Sequence, residues 1–158
     1  MTHFRIELPS FAIETPSSLL DDIAALSMKG FSSSAWGGAE TGGVFFGTSE
    51  AGIVRLVAWR ALPCEHAEGP AFSVSTKDEA GLKQLLEHAK DDPELNGLEP
   101  AGWYHSVYGD LAITRKDAAI QDRYFPDPWK PLALIRRVKG EPATVAFYLR
   151  EKNVVLRR

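Results

Sequence analysis

Apolar and charged residues alternate through Phe4-Arg5-Ile6-Glu7-Leu8, a period of two that predicts a half-buried strand limited by Pro9. After Thr15-Pro16-Ser17-Ser18 the apolar positions Leu19, Leu20, Ile23, Ala24, Leu26 and Met28 follow a helical spacing, and Gly30 is expected to stop the run. Gly42-Gly43-Val44-Phe45-Phe46-Gly47 reads as a central strand with closely approached backbone. Ile53-Val54-Arg55-Leu56-Val57-Ala58-Trp59 reads as its partner through a turn at Ser49-Glu50-Ala51-Gly52. Phe72-Ser73-Val74 is extended. Ser75 stands three residues before Asp78, a capping-box spacing, ahead of a helix with Leu82, Leu85, Leu86 and Ala89 inward and His88 on its wet side.

Asp91-Asp92-Pro93 and Asn96-Gly97 predict turns, after which Ala101, Trp103 and Tyr104 form a short buried strand. Thr114 can cap a helix through Asp117-Ala118-Ala119-Ile120-Gln121. An aromatic, proline-rich connector, Tyr124 to Trp129, leads into a strand at Pro131-Leu132-Ala133-Leu134-Ile135-Arg136-Arg137. A hairpin closes the chain, Thr144 to Arg150 and Val154 to Leu156, turning through Glu151-Lys152-Asn153. Strands outnumber helices and alternate with them. The expected class is therefore mixed α/β, α+β-like, with one mostly antiparallel sheet flanked by helices, in a single domain over residues 1–158 without repeat or linker.

Composition narrows the function classes. With 44% hydrophobic and 25% charged residues the chain is an ordinary globular one, and a net charge of −3 supplies no basic field for nucleic acid. Trp36, Trp59, Trp103 and Trp129 fall on strands and connectors, where core packing explains them better than base stacking. Cys64 is the only cysteine, which excludes an internal disulfide and a thiolate-built zinc site. No stretch has signal-peptide or membrane-span character, so a cytoplasmic protein without membrane contact is expected. Cys64-Glu65-His66 resembles a metal cluster only in composition, because adjacent side chains seldom converge on one ion.

The chemistry gathers around Gly102-Trp103-Tyr104-His105-Ser106-Val107-Tyr108-Gly109-Asp110 and Thr114-Arg115-Lys116-Asp117. A histidine at a strand end and a carboxylate at a helix start can meet around a metal, since side chains and free amide donors converge there. The same residues also have a plain structural reading. His105 can be a hydrogen-bonded core histidine, and Thr114 and Asp117 a cap and a first-turn acid, each worth about 0.5 to 1 kcal/mol.

Glu40 ahead of Thr41-Gly42-Gly43-Val44-Phe45-Phe46-Gly47, then Gly102-Trp103-Tyr104-His105-Ser106, then Thr114 and Asp117 in a Thr-x-x-Asp spacing, resembles the JAMM/MPN (JAB-type) metalloprotease domain, in a bacterial-type stand-alone form. The resemblance covers nearly the whole chain and implies the family's cytidine-deaminase-like architecture. It implies that His105 and Asp117 match zinc ligands, that Glu40 matches the general base acting on zinc-bound water, and that Thr114 matches the serine that assists the oxyanion. Ser106 and Val107 flank the ligand. Val107 stands where the family has its second histidine, and six residues separate it from Thr114 where the family has seven. Tyr108, Asp110 and His66 are the candidates to replace the missing ligand.

Two functions follow. The first is a degenerate JAMM/MPN domain without zinc that binds or scaffolds a protein, such as a ubiquitin-like protein or a conjugation-system component. The second is a zinc-dependent isopeptidase or peptidase with a remodelled site, acting on ubiquitin-like or other protein tails. Two protein ligands in place of three weaken zinc binding and favour the first reading. Survival of Glu40, His105, Thr114 and Asp117 together speaks for the second.

Overall fold

The computed structural model describes residues 3–33, 40–65, 72–108, 111–137, 143–149 and 152–157, with side chains described except at 28–33, 108, 137 and 152–157. Its elements run β1 (His3–Glu7), β2 (Ala12–Pro16), α1 (Ser17–Ser33), β3 (Gly42–Glu50), β4 (Ile53–Leu62), α2 (Thr76–His88), β5 (Glu99–Tyr108), α3 (Arg115–Tyr124), β6 (Leu132–Arg137), β7 (Thr144–Leu149) and β8 (Lys152–Arg157). The strands form one sheet in the order β1-β2-β4-β3-β5-β6-β7-β8. Pairing is antiparallel except for β2 with β4 and β5 with β6. The class is mixed α+β, as the alternation of strands and helices implied.

Both faces of the sheet carry a core. Leu19, Leu20 and Ile23 of α1 cover one face over Phe45, Leu56, Tyr104, Ile135 and Phe147. Leu82 of α2 and Ile120 of α3 cover the other, over Phe46, Trp103, Val107, Leu134 and Tyr148. Burying each of these larger side chains is worth about 1.5 to 3 kcal/mol.

Two bulges decide which residue faces which side. Phe45 pairs with Gly102 but Phe46 with Pro100, leaving Ala101 as the extra residue of β5. Ala101 therefore packs on the α1 side, while Trp103, only two positions on, packs on the α2–α3 side. Gly102 makes this possible with φ +147°, and a Cβ there would stand 2.5 Å from the Pro131 carbonyl oxygen. A second bulge leaves Val57 of β4 unpaired between Leu56 and Ala58. From Trp103 onward, every second residue of β5 points toward α2 and α3.

The helices start where the capping pattern placed them. Ser75 and Asp78, and likewise Thr114 and Asp117, form reciprocal capping boxes at α2 and α3. Three expectations need correction. Gly30 does not stop α1, which continues to Ser33, because one glycine costs a packed helix only about 1 kcal/mol. The strand Ala12–Pro16 was not anticipated, since Ala12, Ile13 and Thr15 are buried without a clean alternation. Lys152 and Asn153 belong to β8 rather than to the closing turn. His88 lies on the exposed side of α2 as expected. Trp59, Trp103 and Trp129 pack in or against the cores, while Trp36 lies outside the described residues.

Candidate functional site

Strand β5 carries Trp103, His105 and Val107 on the face covered by α2 and α3. Helix α3 presents Asp117 to that face from its first turn, because Thr114 caps the helix and fixes the direction of the third residue after it. Glu40 lies just ahead of β3, whose Gly42 is the register partner of His105. The fold thus brings Glu40, His105 and Asp117 toward one place from three separate segments.

His105 and Asp117 touch directly. His105 Nε2 lies 2.9 Å from Asp117 Oδ1, with the two side chains 4% and 6% exposed. The other ring nitrogen, Nδ1, lies 3.0 Å from the Ser106 carbonyl oxygen. Both partners are acceptors, so both ring nitrogens donate and the imidazolium form satisfies the geometry. Burial works against that charge, but the hydrogen bond and charge of Asp117, the Ser106 carbonyl and the charge of Glu40 hold the His105 pKa above its ordinary value. Asp117 is likewise opposed by burial, yet His105 and the Thr114 cap hold its pKa below the usual carboxylate range.

Each remaining group has work within the fold. Asp117 Oδ2 accepts the Thr114 N–H at 3.0 Å, and the Thr114 hydroxyl accepts the Asp117 N–H at 3.1 Å. Glu40 Oε2 accepts the Phe72 N–H at 2.7 Å. The Phe72 ring stacks on His105, with centroids 5.2 Å apart and planes 17° apart. That ring needs the bare backbone beneath it, since a Cβ on Gly42 would come within 2.5 Å of Phe72 Cζ. Ser106 is fully buried; its hydroxyl accepts the Thr41 N–H at 2.8 Å and its own N–H donates to the Thr41 carbonyl at 2.7 Å. Ser106 therefore fastens the segment carrying Glu40 to β5. Beside the pair lies a cleft of about 180 Å³ lined by Phe72, Ser73, Trp103, Lys116, Asp117 and Arg123, among others.

Val107 lies on the same face as His105 and packs in the apolar cluster with Ile120 and Tyr148. Tyr108's side chain, Asp110 and His66 lie outside the described residues. Among the described residues no group of three or more His, Cys, Asp or Glu side chains converges in a way that could hold a metal. Among the described residues the donors fall short of the three side chains that a catalytic zinc takes. His105 and Asp117 spend their facing atoms on each other, and the Val107 isopropyl group on the same face offers no lone pair. Sequence reasoning overlooked Phe72 and the clamping role of Ser106; a buried serine between two inward-facing side chains was the available signal for the latter.

No protein-family model and no curated protein matches this chain. Among solved structures, the solution structure of protein DSY2949 from Desulfitobacterium hafniense is similar at 16% identity, covering 91% of this chain and 88% of that one, with a TM-score of 0.52. A solution structure of a protein from Salinibacter ruber aligns at 16% identity over 91% of this chain and 87% of that one, with a TM-score of 0.47. No helix among the described residues is long and apolar enough to cross a membrane. The resemblance to DSY2949 is one of fold.

Proposed function

We propose that this chain is a JAMM/MPN-type domain that has given up its zinc and works by binding another protein, with a ubiquitin-like protein or a conjugation-system component as the partner class. The motif positions support the family: His105 in β5 touches Asp117 in the first turn of α3, and Glu40 ahead of β3 is near enough for its charge to act on His105. The observation that carries the loss of zinc is the 2.9 Å contact between His105 Nε2 and Asp117 Oδ1. With Val107 buried as a hydrocarbon beside it, the cluster is complete as an ion pair and short of a ligand as a metal centre.

The test has two parts. The purified protein is analysed for zinc and titrated with zinc by calorimetry. It is then incubated, with and without chelator, with a C-terminally extended ubiquitin-like protein. The expected result is no stoichiometric zinc and no cleavage, with the ubiquitin-like protein producing chemical-shift changes on the domain. One firmly held zinc per chain with chelator-sensitive cleavage would overturn the reading in favour of the remodelled hydrolase.

A further inference from the structure

Strand β4 is only partly enclosed. Strand β2 pairs with it over Ile53, Val54 and Arg55, and the chain then turns at Pro16 into α1. Beyond Arg55 the strand runs on to Leu62 with β3 paired on one side and, among the described residues, no strand paired on the other. The Arg60 carbonyl faces β3, lying 2.3 Å from where a Cβ on Gly43 would stand. By the alternation of an antiparallel ladder, Trp59 and Ala61 then turn their N–H and C=O groups to the open side. Arg60 Nη1 donates to the Trp59 carbonyl at 2.9 Å, a side chain serving an edge that no strand serves.

A groove of about 430 Å³ lies along this edge, lined by Val57, Ala58, Trp59, Arg60 and Ala61 and walled by Pro16, Ser18, Leu19 and Asp22. Val57, 49% exposed, is the most exposed of the large hydrophobic side chains described. The charge of Arg60 is committed to Asp92 at 3.1 Å and Glu94 at 2.7 Å, whereas no ion pair among the described residues takes up Asp22. The groove therefore combines a backbone edge that no strand pairs, an apolar floor and a carboxylate outside any ion pair among the described residues. Asp22 on the α1 wall selects, among extended segments, one that carries a basic side chain.

We propose that the 57–61 edge of β4 is a docking groove for an extended segment of another protein, which adds as a strand beside β4 and sets a basic side chain against Asp22. The added strand would continue the lane that β2 vacates, and main-chain hydrogen bonds would supply most of its affinity. The proposal gives the protein-binding reading above a surface. Its fate is separable from that of the zinc assays, because the groove belongs to the α1 side of the sheet and His105 to the other.

The probe is an acetylated, amidated lysine-valine-threonine-valine-lysine peptide, with a glutamate-ended counterpart as control, titrated into the ¹⁵N-labelled full chain. Expected are shift changes confined to residues 57–61 and 18–22, and tighter binding of the lysine peptide. Ala61→Pro removes an outward N–H at an edge position that tolerates proline, and should weaken binding about fivefold to tenfold. Asp22→Lys, on the exposed surface of α1, should reverse the preference between the peptides by about twofold to fivefold each way. Shift changes elsewhere, no binding of either peptide at millimolar concentration, an unchanged preference in Asp22→Lys, or self-association of the free chain through 57–61 would each overturn the proposal.

Discussion

Nε2 of His105 lies 2.9 Å from Oδ1 of Asp117, joining the middle of β5 to the first turn of α3 inside the protein. Asp117 also closes the capping box with Thr114, so one carboxylate ends the helix and holds the strand. The ring it holds is covered by Phe72 and flanked by Trp103, whose centroid lies 5.6 Å away. An aromatic enclosure of this kind suits a cationic ring.

Stability should therefore depend on pH with a defined sign. The His105 pKa is raised in the folded protein, so its contribution is complete below about pH 6.5 and is lost as pH rises through the folded value. The Asp117 pKa is lowered, so its contribution is present above about pH 4 and is lost as pH falls through the folded value. The two shifts describe one interaction, which is fully expressed between those limits. Urea unfolding followed from pH 4 to 9 should show stability declining on the alkaline side, and His105→Gln should flatten that decline. A flat profile on the alkaline side of the parent protein would mean that folding does not raise the His105 pKa.

Breaking the pair from one side should be costly. Asp117→Ala leaves a buried imidazolium and removes the side-chain half of the capping box, with an expected loss of about 3 to 5 kcal/mol. His105→Phe leaves a buried carboxylate and should cost a similar amount. The double variant removes both charges and should cost less than the sum of the singles by more than about 1 kcal/mol, as a double-mutant cycle by chemical denaturation would measure.

Tyr104 presents the opposite situation. Its ring is fully buried on the α1 side against Phe45 and Trp59, and its hydroxyl has no hydrogen-bond partner among the described residues. Burial alone pushes the phenol pKa up. Tyr104→Phe removes that unpaired group while keeping the ring, and should raise stability by about 1 kcal/mol in thermal unfolding.

The sequence carried the parts of this architecture that have local causes. Ser75 with Asp78 and Thr114 with Asp117 named both helix starts, because a cap is written within four residues. The strand Ile53 onward and the one through Trp103 were visible from their apolar runs. What a bulge does was not legible: whether Ala101 is an extra residue depends on β3, and the face taken by His105 follows from it. The direct contact was also hidden. Spacing placed His105 and Asp117 near one another, but whether they meet directly is set by how α3 packs on the sheet, with Ile120 and Val107 in one cluster. The groove beside β4 follows from the early end of β2, a strand the hydrophobic pattern did not reveal.

Because Val107 shares its face with His105, a further donor can be placed beside the pair by one substitution. Val107→His places a polar ring in an apolar cluster, so without metal the variant should lose about 1 to 3 kcal/mol. With a third nitrogen or oxygen donor available, zinc should recover part of that loss. Thermal unfolding with and without zinc should show stabilisation of the variant and none of the parent protein. An equal zinc effect on both would mean that the parent already has a site.

Gly102 tests the bulge. Its φ of +147° is unfavourable for any other residue, and an added Cβ would press within 2.5 Å of the Pro131 carbonyl oxygen. That oxygen accepts the Trp103 N–H at 3.1 Å, so the crowded atom is itself part of the β5–β6 junction and has little room to yield. Gly102→Ala should cost about 1 to 3 kcal/mol from strain and crowding together. Relief by removing the bulge would carry a larger penalty, because a one-residue slip turns Trp103, His105 and Val107 toward α1 and Tyr104 and Ser106 toward α3. The distinguishing measurement is the imidazole N–H signal of His105. If the bulge persists under strain, the variant unfolds at lower urea with that signal retained; if the register slips, the hydrogen bond to Asp117 and the signal are lost together.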